Sequence, residues 1–217
     1  VQSASVEEMA YPLPERPSIA VLPFDNLSND PQQEYFSDGL TEEIITALSK
    51  LPQMFVIARN SSFTYKGKPV KIRQVAEDLG VHHVLEGSVR KARDSIRIMA
   101  QLIDARTGYH LWSNDYDRTV VDIFDIQGDI AREVTRHIGI ALSPESELLL
   151  AAQPTQDIDA YDFYLQGRGY WRRPHNDAVL AAAQGLFQRA IDLDPQFADA
   201  YAGMCTTLLA RFVLESA

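Results

Sequence analysis

The amino-acid sequence predicts an α/β domain, a mixed sheet flanked by helices, followed by an all-α region of helix hairpins. Three observations support this prediction. Up to residue 138, short apolar runs with β-branched residues alternate with segments whose apolar residues recur at helical spacing. In the middle of this stretch, three strand-like segments follow one another with only short breaks. After residues 153–156 (QPTQ), the pattern becomes wholly helical and rich in alanine.

The composition indicates a globular chain and excludes several classes of function. Of the 217 residues, 46% are hydrophobic and 23% are charged, whereas a disordered chain would have fewer apolar residues. The net charge of -10 disfavours nonspecific binding to nucleic acid or to an anionic membrane surface. Cys205 is the single cysteine, which excludes an intramolecular disulfide and multi-cysteine metal sites.

The sequence has no apolar run near the ~20 residues that a membrane span needs, and no secretory signal at its start. We therefore expect no membrane insertion. Since the first residue is not Met, we also expect a fragment of a longer protein.

The first elements follow from local patterns. Residues 1–17 are acidic and interrupted by prolines, which is typical of a linker. Residues 18–24 (SIAVLPF) form an apolar run and predict a buried strand. Asp30 is a suitable helix cap, and apolar residues at helical spacing from Phe36 to Leu51 predict an amphipathic helix after it.

The rest of the α/β domain is predicted in the same way. Residues 54–58 (MFVIA) predict a second buried strand, and residues 59–69 a polar loop. Residues 71–79 predict a short helix that ends at Gly80. The strands of a meander are predicted at 84–91, 96–102 and 109–116, and a long amphipathic helix at 123–138.

A repeat pattern marks the helical region. Two stretches resemble the paired helices of a tetratricopeptide repeat, in which small residues let helices approach closely. The predicted repeat core is Phe163, Gly167, Tyr170, Ala183, Phe187 and Ala190, with Pro195 after the second helix and Tyr201, Met204 and Leu208 in a new unit. We therefore predict a linker at 1–17, an α/β domain at 18–150, and a repeat region at 155–217 with one full repeat and the first helix of a second. Since such units need stacked neighbours, the array is expected to continue beyond this end.

Several motifs in the right order resemble one family. They are 17–24 (PSIAVLPF), 34–39 (EYFSDG), 56–67 (VIARNSSFTYKG), 84–89 (VLEGSV) and 108–112 (GYHLW). Together they resemble the domain similar to the amino-terminal domain of TolB, over residues 17–142. That domain occurs with tetratricopeptide repeats in bacterial signalling proteins, which carry a class III adenylate/guanylate cyclase domain or a winged-helix DNA-binding domain ahead of it.

The resemblance implies a sensory or docking module without catalytic residues, with any cyclase domain upstream of this chain. Residues 11–17 (YPLPERP) look like the join that follows a cyclase domain, which favours a cytoplasmic location. A periplasmic location is the alternative if a transmembrane helix precedes the chain.

The segment 59–68 is the strongest candidate for a ligand site. It follows a predicted strand, and ligands of α/β sheets gather at the carboxyl ends of strands. Hydroxyl, amide and cationic groups suit a small-molecule or anionic ligand, although the spacing is not that of a P-loop. The candidate ligand-binding residues are Arg59, Asn60, Ser61, Ser62, Lys66 and Glu86. The structural alternative is that Asn60 and Ser61 cap backbone groups and that Arg59 pairs with a local carboxylate.

Other motifs do not indicate catalysis. Residues 86–88 (EGS) lack the G-x-S-x-G elbow of a serine nucleophile, so Gly87 more plausibly permits a close backbone approach, and Glu86 could pair with Arg59 or Arg90. His82 and His83 are adjacent on a strand, where their side chains face opposite ways. We therefore expect neither a metal site nor a cofactor.

Aromatic and basic residues suggest a protein-binding surface. Trp171, Arg172 and Arg173 are the candidate partner-binding residues, since Trp and Arg are common at interface hot spots. Tyr109, Trp112 and Tyr116 fit either a core or an exposed patch.

The sequence thus favours a non-catalytic regulatory module that binds a protein or peptide through its repeats. A scaffold that forms homodimers, a periplasmic sensor of a winged-helix regulator, and an enzyme centred on residues 59–68 are the alternatives.

Overall fold

A computed structural model of the chain describes residues 13–215, except for the side chain of Glu215. Most of the predicted linker, residues 1–12, lies outside this range. The chain divides into two compact units. Of the described residues, the first unit contains 13–33 and 40–152, and the second contains 34–39 and 153–215.

The first unit is built on one mixed sheet. Its strands are β1 (Ser18–Val21), β2 (Asp25–Asn26), β3 (Phe55–Val56), β4 (His83–Ala92), β5 (Ser95–Asp104) and β6 (His110–Thr119). The order is β3-β1-β4-β5-β6, and β2 pairs with β4 farther along that strand. β1 is parallel to β3 and β4, whereas β4, β5 and β6 form an antiparallel meander. A mixed sheet of this kind, flanked by helices, confirms the predicted fold class.

Eight helices accompany the sheet and follow it along the described chain. They are α1 (Glu34–Ser49), α2 (Arg59–Ser62), α3 (Ile72–Leu79), α4 (Ile123–Ile138), α5 (Pro144–Ala151), α6 (Ile158–Trp171), α7 (Asp177–Leu193) and α8 (Ala198–Glu215). The predicted end of α3 at Gly80 is confirmed, and α4 stops in the same way at Gly139; both glycines have the left-handed conformation. Asp30 does not cap α1, which begins after Gln33 without a side-chain cap; its Oδ1 accepts the backbone N–H of Gln32 at 2.9 Å, in the 3-10 turn Pro31–Gln33 that precedes the helix.

The two faces of β4 have different surroundings. Leu85 and Val89 lie opposite Leu102 and Ile98 of β5, and all four side chains are buried. On the other face, Val84 packs with apolar residues of β1 and α3 in a buried cluster. Since α3 has only eight residues, this cluster covers the start of that face and stops short of Glu86 and Ser88, which remain half-buried.

Strands β1 and β3 are both shorter than predicted. β1 ends at Val21 because the chain turns at Pro23 into the separate pairing of β2 with β4. The strand predicted at 54–58 is present as β3, but it is shorter than predicted and is not buried. β3 has two residues at the edge of the sheet, bonded to β1 on one side only, and its Phe55 side chain is 48% exposed.

The prediction of a polar loop at 59–69 is also wrong in its first half. The backbone N–H groups of Ser61 and Ser62 both donate to the carbonyl of Ala58, which starts the short helix α2. A 3-10 turn, Phe63–Tyr65, continues it, and only then does the chain open at Gly67, whose φ of 68° suits glycine.

The sequence patterns do not predict helix α5. Its start has ordinary signals, since the Ser143 side chain accepts the N–H of Ser146 and Pro144 occupies the first turn. Its apolar residues are consecutive, however, so Leu148 and Leu149 are exposed while Leu150 is buried, and no helical periodicity is visible.

The second unit contains the helix hairpin α6–α7, followed by α8. Asp157 and Asn176 cap the two hairpin helices through their side chains, which accept backbone N–H groups. The predicted core positions Ala183, Phe187 and Ala190 are buried as expected.

The core of α6 differs from the prediction. Phe163 and Tyr170 are half-buried, whereas Tyr161, Tyr164 and Leu165 form the buried face together with Gly167. The buried stripe therefore begins at Tyr161 instead of Phe163. In α8, Tyr201 and Leu208 are exposed because the face on which they lie has no further helix against it among residues 13–215.

Across residues 13–215, no helix combines the length and the apolar character that crossing a bilayer requires.

Candidate functional site

A cavity of about 530 Å³ opens in the first unit, where α3 no longer covers the sheet. Its floor is the middle of β4 and β5, and its walls are the turn after β1 and the open segment after the 3-10 turn. The lining residues are Leu22, Pro23, Asp25, Leu27, Tyr65, Gly67, Lys68, Pro69, Val70, Glu86, Gly87, Ser88 and Met99. The cavity thus lies at the carboxyl end of β1, where α/β sheets commonly hold ligands.

Glu86 is the polar residue at the floor of this cavity. Its side chain is half-buried, and burial raises its pKa above the usual range for glutamate. The positive field of His110 lowers the pKa and Asp25 raises it further, both by smaller amounts. In the part of the chain that the structure describes, the Glu86 carboxylate accepts no hydrogen bond and forms no ion pair, so neither Arg59 nor Arg90 is its partner.

Tyr65 forms part of the wall and is fixed in place. Its hydroxyl donates to Oδ2 of Asp78 at 2.9 Å. Burial and this bond raise the pKa of Tyr65 to about 12, so its hydroxyl keeps its proton at neutral pH. The apolar part of the wall comes from Leu22, Leu27 and Val70.

Arg59, a leading candidate from the sequence, lies outside the cavity lining and is engaged inside the domain. Its Nε donates to Oε1 of Glu42 at 2.6 Å, and its guanidinium lies 3.7 Å from the centre of the Phe63 ring. The Glu42 side chain is only 3% exposed. These contacts confirm the structural alternative for Arg59, the pairing with a local carboxylate.

The other candidates of the segment do not converge on the cavity. Asn60 and Ser61 are exposed on α2, and the expectation that they cap backbone groups is wrong, since no side-chain cap is present at this helix. Ser62 is fully buried, and its Oγ has no hydrogen-bond partner among the described residues. Lys66 is half-buried and does not line the cavity. Of the six predicted ligand-binding residues, only Glu86 does.

The residues beside Glu86 have structural roles. A Cβ at Gly87 would lie 2.3 Å from the carbonyl oxygen of Met99 and 2.5 Å from the Phe24 ring, which confirms the predicted close approach. The Nδ1 atom of His82 lies 2.7 Å from the hydroxyl oxygen of Ser18, and the two atoms share a hydrogen bond. Burial lowers the pKa of both His82 and His83, which favours neutral rings. Residues 13–215 contain no group of three His, Cys, Asp or Glu side chains placed to hold a metal ion.

The predicted partner-binding residues are grouped at the end of α6. The Trp171 ring lies 4.4 Å from the His175 ring, and Arg173 lies 4.1 Å from the centre of the Tyr170 ring. Burial lowers the pKa of Arg172 to about 10, and Asp38 opposes this shift, so the guanidinium stays charged at neutral pH. Arg173 is exposed, whereas Trp171 and Arg172 are half-buried.

The sequence left open whether the aromatic residues in and just before β6 belong to the core or to an exposed patch, and the structure shows both cases. Tyr116 is buried, and Tyr109 is 66% exposed just before the strand. Trp112 is half-buried, with its ring 6.1 Å from the ring of His137 on α4.

Every lining residue of the cavity other than Glu86 was outside the predicted ligand-binding set, including Asp25, Lys68 and Met99. Asp25 directly follows the first apolar run, so the rule that ligands gather at strand ends could have found it. Lys68 lies in the candidate segment, only two residues beyond Lys66. Met99 carries no such signal, because on an alternating strand it looks like an ordinary outward-facing residue.

Comparison with known proteins adds relatives for both parts of the chain. Over 201 residues, the chain is 46% identical to a protein of Rhizobium meliloti (strain 1021) named "Putative adenylate cyclase 3". The alignment covers 93% of this chain but 34% of the relative, so the chain spans about a third of that protein's length.

Similar solved structures share low identity. TolB from Acinetobacter baumannii is 16% identical with a TM-score of 0.45, covering 60% of this chain and 30% of TolB. The lipoprotein GNA1162 from Neisseria meningitidis is 20% identical with a TM-score of 0.40, covering 58% of this chain and 99% of the lipoprotein.

A family profile matches residues 15–132, more than half of the chain, and is described as the second domain of a HilA/YgeH-like transcriptional regulator. The expected resemblance to a domain shared by cyclase-type and regulator proteins is thereby confirmed. The chain belongs to the family of HilA/YgeH-like second domains.

Proposed function

We propose that this chain is the non-catalytic regulatory and protein-interaction part of a bacterial signalling protein of the adenylate cyclase type. The observation that carries the proposal is the alignment with the Rhizobium meliloti relative. Nearly all of this chain matches about a third of that protein, which leaves two thirds of the relative for a catalytic domain.

The proposal gives different roles to the two units. The first unit provides a sensory site, supported by the cavity beside Glu86. The helical region binds a protein or peptide, supported by the aromatic and basic residues grouped at the end of α6, where Trp171 and Arg172 are half-buried and Arg173 is exposed. Binding at either place regulates the output domain only if the ligand or partner has different affinities for two states of the protein. A cytoplasmic location is part of this proposal.

Cyclic nucleotide production tests the proposal. The full Rhizobium meliloti relative and a form that lacks the 201 aligned residues are compared for conversion of ATP into cyclic AMP, alongside this chain alone. We expect the shortened relative to keep its activity at an altered level and this chain to have none. Activity of this chain alone would overturn the proposal, as would complete loss of activity in a shortened relative that remains folded.

A second output domain has support of its own. The family is described through a transcriptional regulator, so the same second domain serves proteins whose output is gene expression. In that case the relevant experiment is a reporter-gene assay of a full-length regulator that contains this chain, compared with a form that lacks residues 15–132. The same full-length protein would show no conversion of ATP into cyclic AMP.

A further inference from the structure

We propose that the cavity beside Glu86 binds a small molecule that carries a protonated amine and an apolar body. This proposal deepens the sensory role given above and rests on it. It assigns a chemical class to the ligand, which the comparisons do not.

The charge of the cavity indicates a cationic group on the ligand. Glu86 lies at the floor, half-buried, and its carboxylate has no partner within residues 13–215. A partly desolvated carboxylate without a partner costs free energy, and an ammonium group that donates hydrogen bonds to it removes that cost. Asp25 adds a second carboxylate at the exposed side of the same cavity.

The apolar lining indicates the rest of the ligand. Leu22, Leu27, Val70 and Met99 contribute side chains around the polar floor. A volume of about 530 Å³ lies within the usual range for small-molecule sites, which combine an apolar lining with a few polar groups.

The same lining argues against the phosphate or other simple anion that the sequence suggested. Among the described residues that line the cavity, Lys68 is the one cation, and it is exposed, whereas two carboxylates belong to the same lining. A dianion would meet net repulsion there. Lys68 can instead pair with a carboxylate carried by the same ligand as the amine. Two kinds of ligand therefore carry the protonated amine that the cavity favours: an amino acid and a simple amine.

A matched set of probes separates these sources. Isothermal titration of the full chain is carried out with L-leucine, with 3-methylbutylamine, which lacks the carboxylate, and with 4-methylpentanoate, which lacks the amine. We expect binding of leucine, 3-methylbutylamine or both at up to millimolar concentrations, and no binding of 4-methylpentanoate. Leucine alone identifies the amino acid as the source, and 3-methylbutylamine at equal or higher affinity identifies the simple amine.

Substitutions locate the binding site. Glu86→Gln keeps the shape of the side chain and removes its charge, so the affinity should fall at least about tenfold. Asp25→Asn, at the exposed side, should weaken binding less and serves if Glu86→Gln does not fold. Glu145→Gln removes an exposed carboxylate from α5, outside the lining, and should leave the affinity unchanged.

Three results would overturn the inference: binding of 4-methylpentanoate as strong as that of leucine, an unchanged affinity in both Glu86→Gln and Asp25→Asn, or no binding of any probe. Each would leave the proposed function open, because that proposal is tested by cyclic nucleotide production and also allows regulation through protein partners.

Discussion

The carboxylate of Glu86 combines partial burial with the lack of a partner among the described residues, and this makes the stability of the protein depend on pH. Burial raises its pKa in the folded state, with Asp25 adding to the shift and His110 opposing it. Between the pKa of the unfolded chain, about 4.3, and the higher pKa of the folded state, the folded protein binds more protons. The stabilising contribution of Glu86 to the free energy of unfolding is therefore fully present below about pH 4, and it is lost as the pH rises through the pKa of the folded state.

Glu86→Gln should consequently raise the melting temperature at pH 7 and leave it unchanged near pH 4. The gain should be small, because the side chain is only half-buried, and each kcal/mol corresponds to roughly 2–4 °C for a chain of this size. Thermal unfolding across this pH range, with Glu145→Gln as control, checks the prediction. A lower melting temperature at pH 7 would mean that the carboxylate has a stabilising partner.

The ion pair between Arg59 and Glu42 supports stability. Arg59 is 29% exposed, and Glu42 is almost fully buried, so removal of the guanidinium takes a close partner from a carboxylate with little access to water. We expect Arg59→Ala to lower the free energy of unfolding by about 1–3 kcal/mol.

A second ion pair provides the control. Arg97 and Asp117 pair between β5 and β6 with both side chains about 60% exposed, so Arg97→Ala should lower the free energy of unfolding much less than Arg59→Ala does. Urea unfolding of both variants makes the comparison. Equal effects would show that burial of Glu42 does not decide the energetics of its pair.

At the scale of elements, three helical glycines of the second unit differ in the space around them: two lie against a neighbouring side chain and one has open space beside it. Cβ atoms at Gly167 of α6 and Gly203 of α8 would lie 2.8 and 2.6 Å from the Phe187 ring, whereas a Cβ at Gly185 of α7 would meet nothing within 4 Å. The ring of Phe187 is buried and cannot move away freely.

Gly167→Ala and Gly203→Ala should each destabilise the protein by about 1–3 kcal/mol through overpacking. Gly185→Ala should stabilise it by up to about 1 kcal/mol, because alanine is the better helix former at an exposed position. Thermal unfolding of the three variants checks both signs. Stabilisation by all three would show that the helices can separate to admit a methyl group.

At the scale of the whole molecule, charge governs which macromolecules the chain can bind. A net charge of -10 opposes the phosphate contacts that supply most nucleic-acid affinity. The chain itself should therefore not bind duplex DNA at physiological salt, even at the ~10⁻⁴ M concentrations at which weak nonspecific binding is found. A gel-shift titration beside a basic DNA-binding domain checks this. A shift by this chain would favour the transcriptional-regulator output over the cyclase type.

Prediction from sequence succeeded where a signal is local and repeated. The alternation of β5 and the helical spacing of α4 gave both elements nearly their observed bounds, because each periodicity depends only on which face is buried. Helix α2 and the edge position of β3 carry no such signal. The first depends on two N–H groups that share one carbonyl, and the second on which strands pair.

The sequence by itself determined the fold class and the acidic net charge, because periodicity and composition act along the chain and do not require knowledge of distant contacts. Its motifs also carried the resemblance to the family. Only the tertiary structure decided which candidate residues meet. It turned Arg59 toward Glu42 and left Glu86 beside Asp25 and Lys68, since residues far apart in sequence converge only through strand pairing and the limited reach of α3. A binding site of this kind is a property of the folded sheet, and no stretch of the sequence contains it whole.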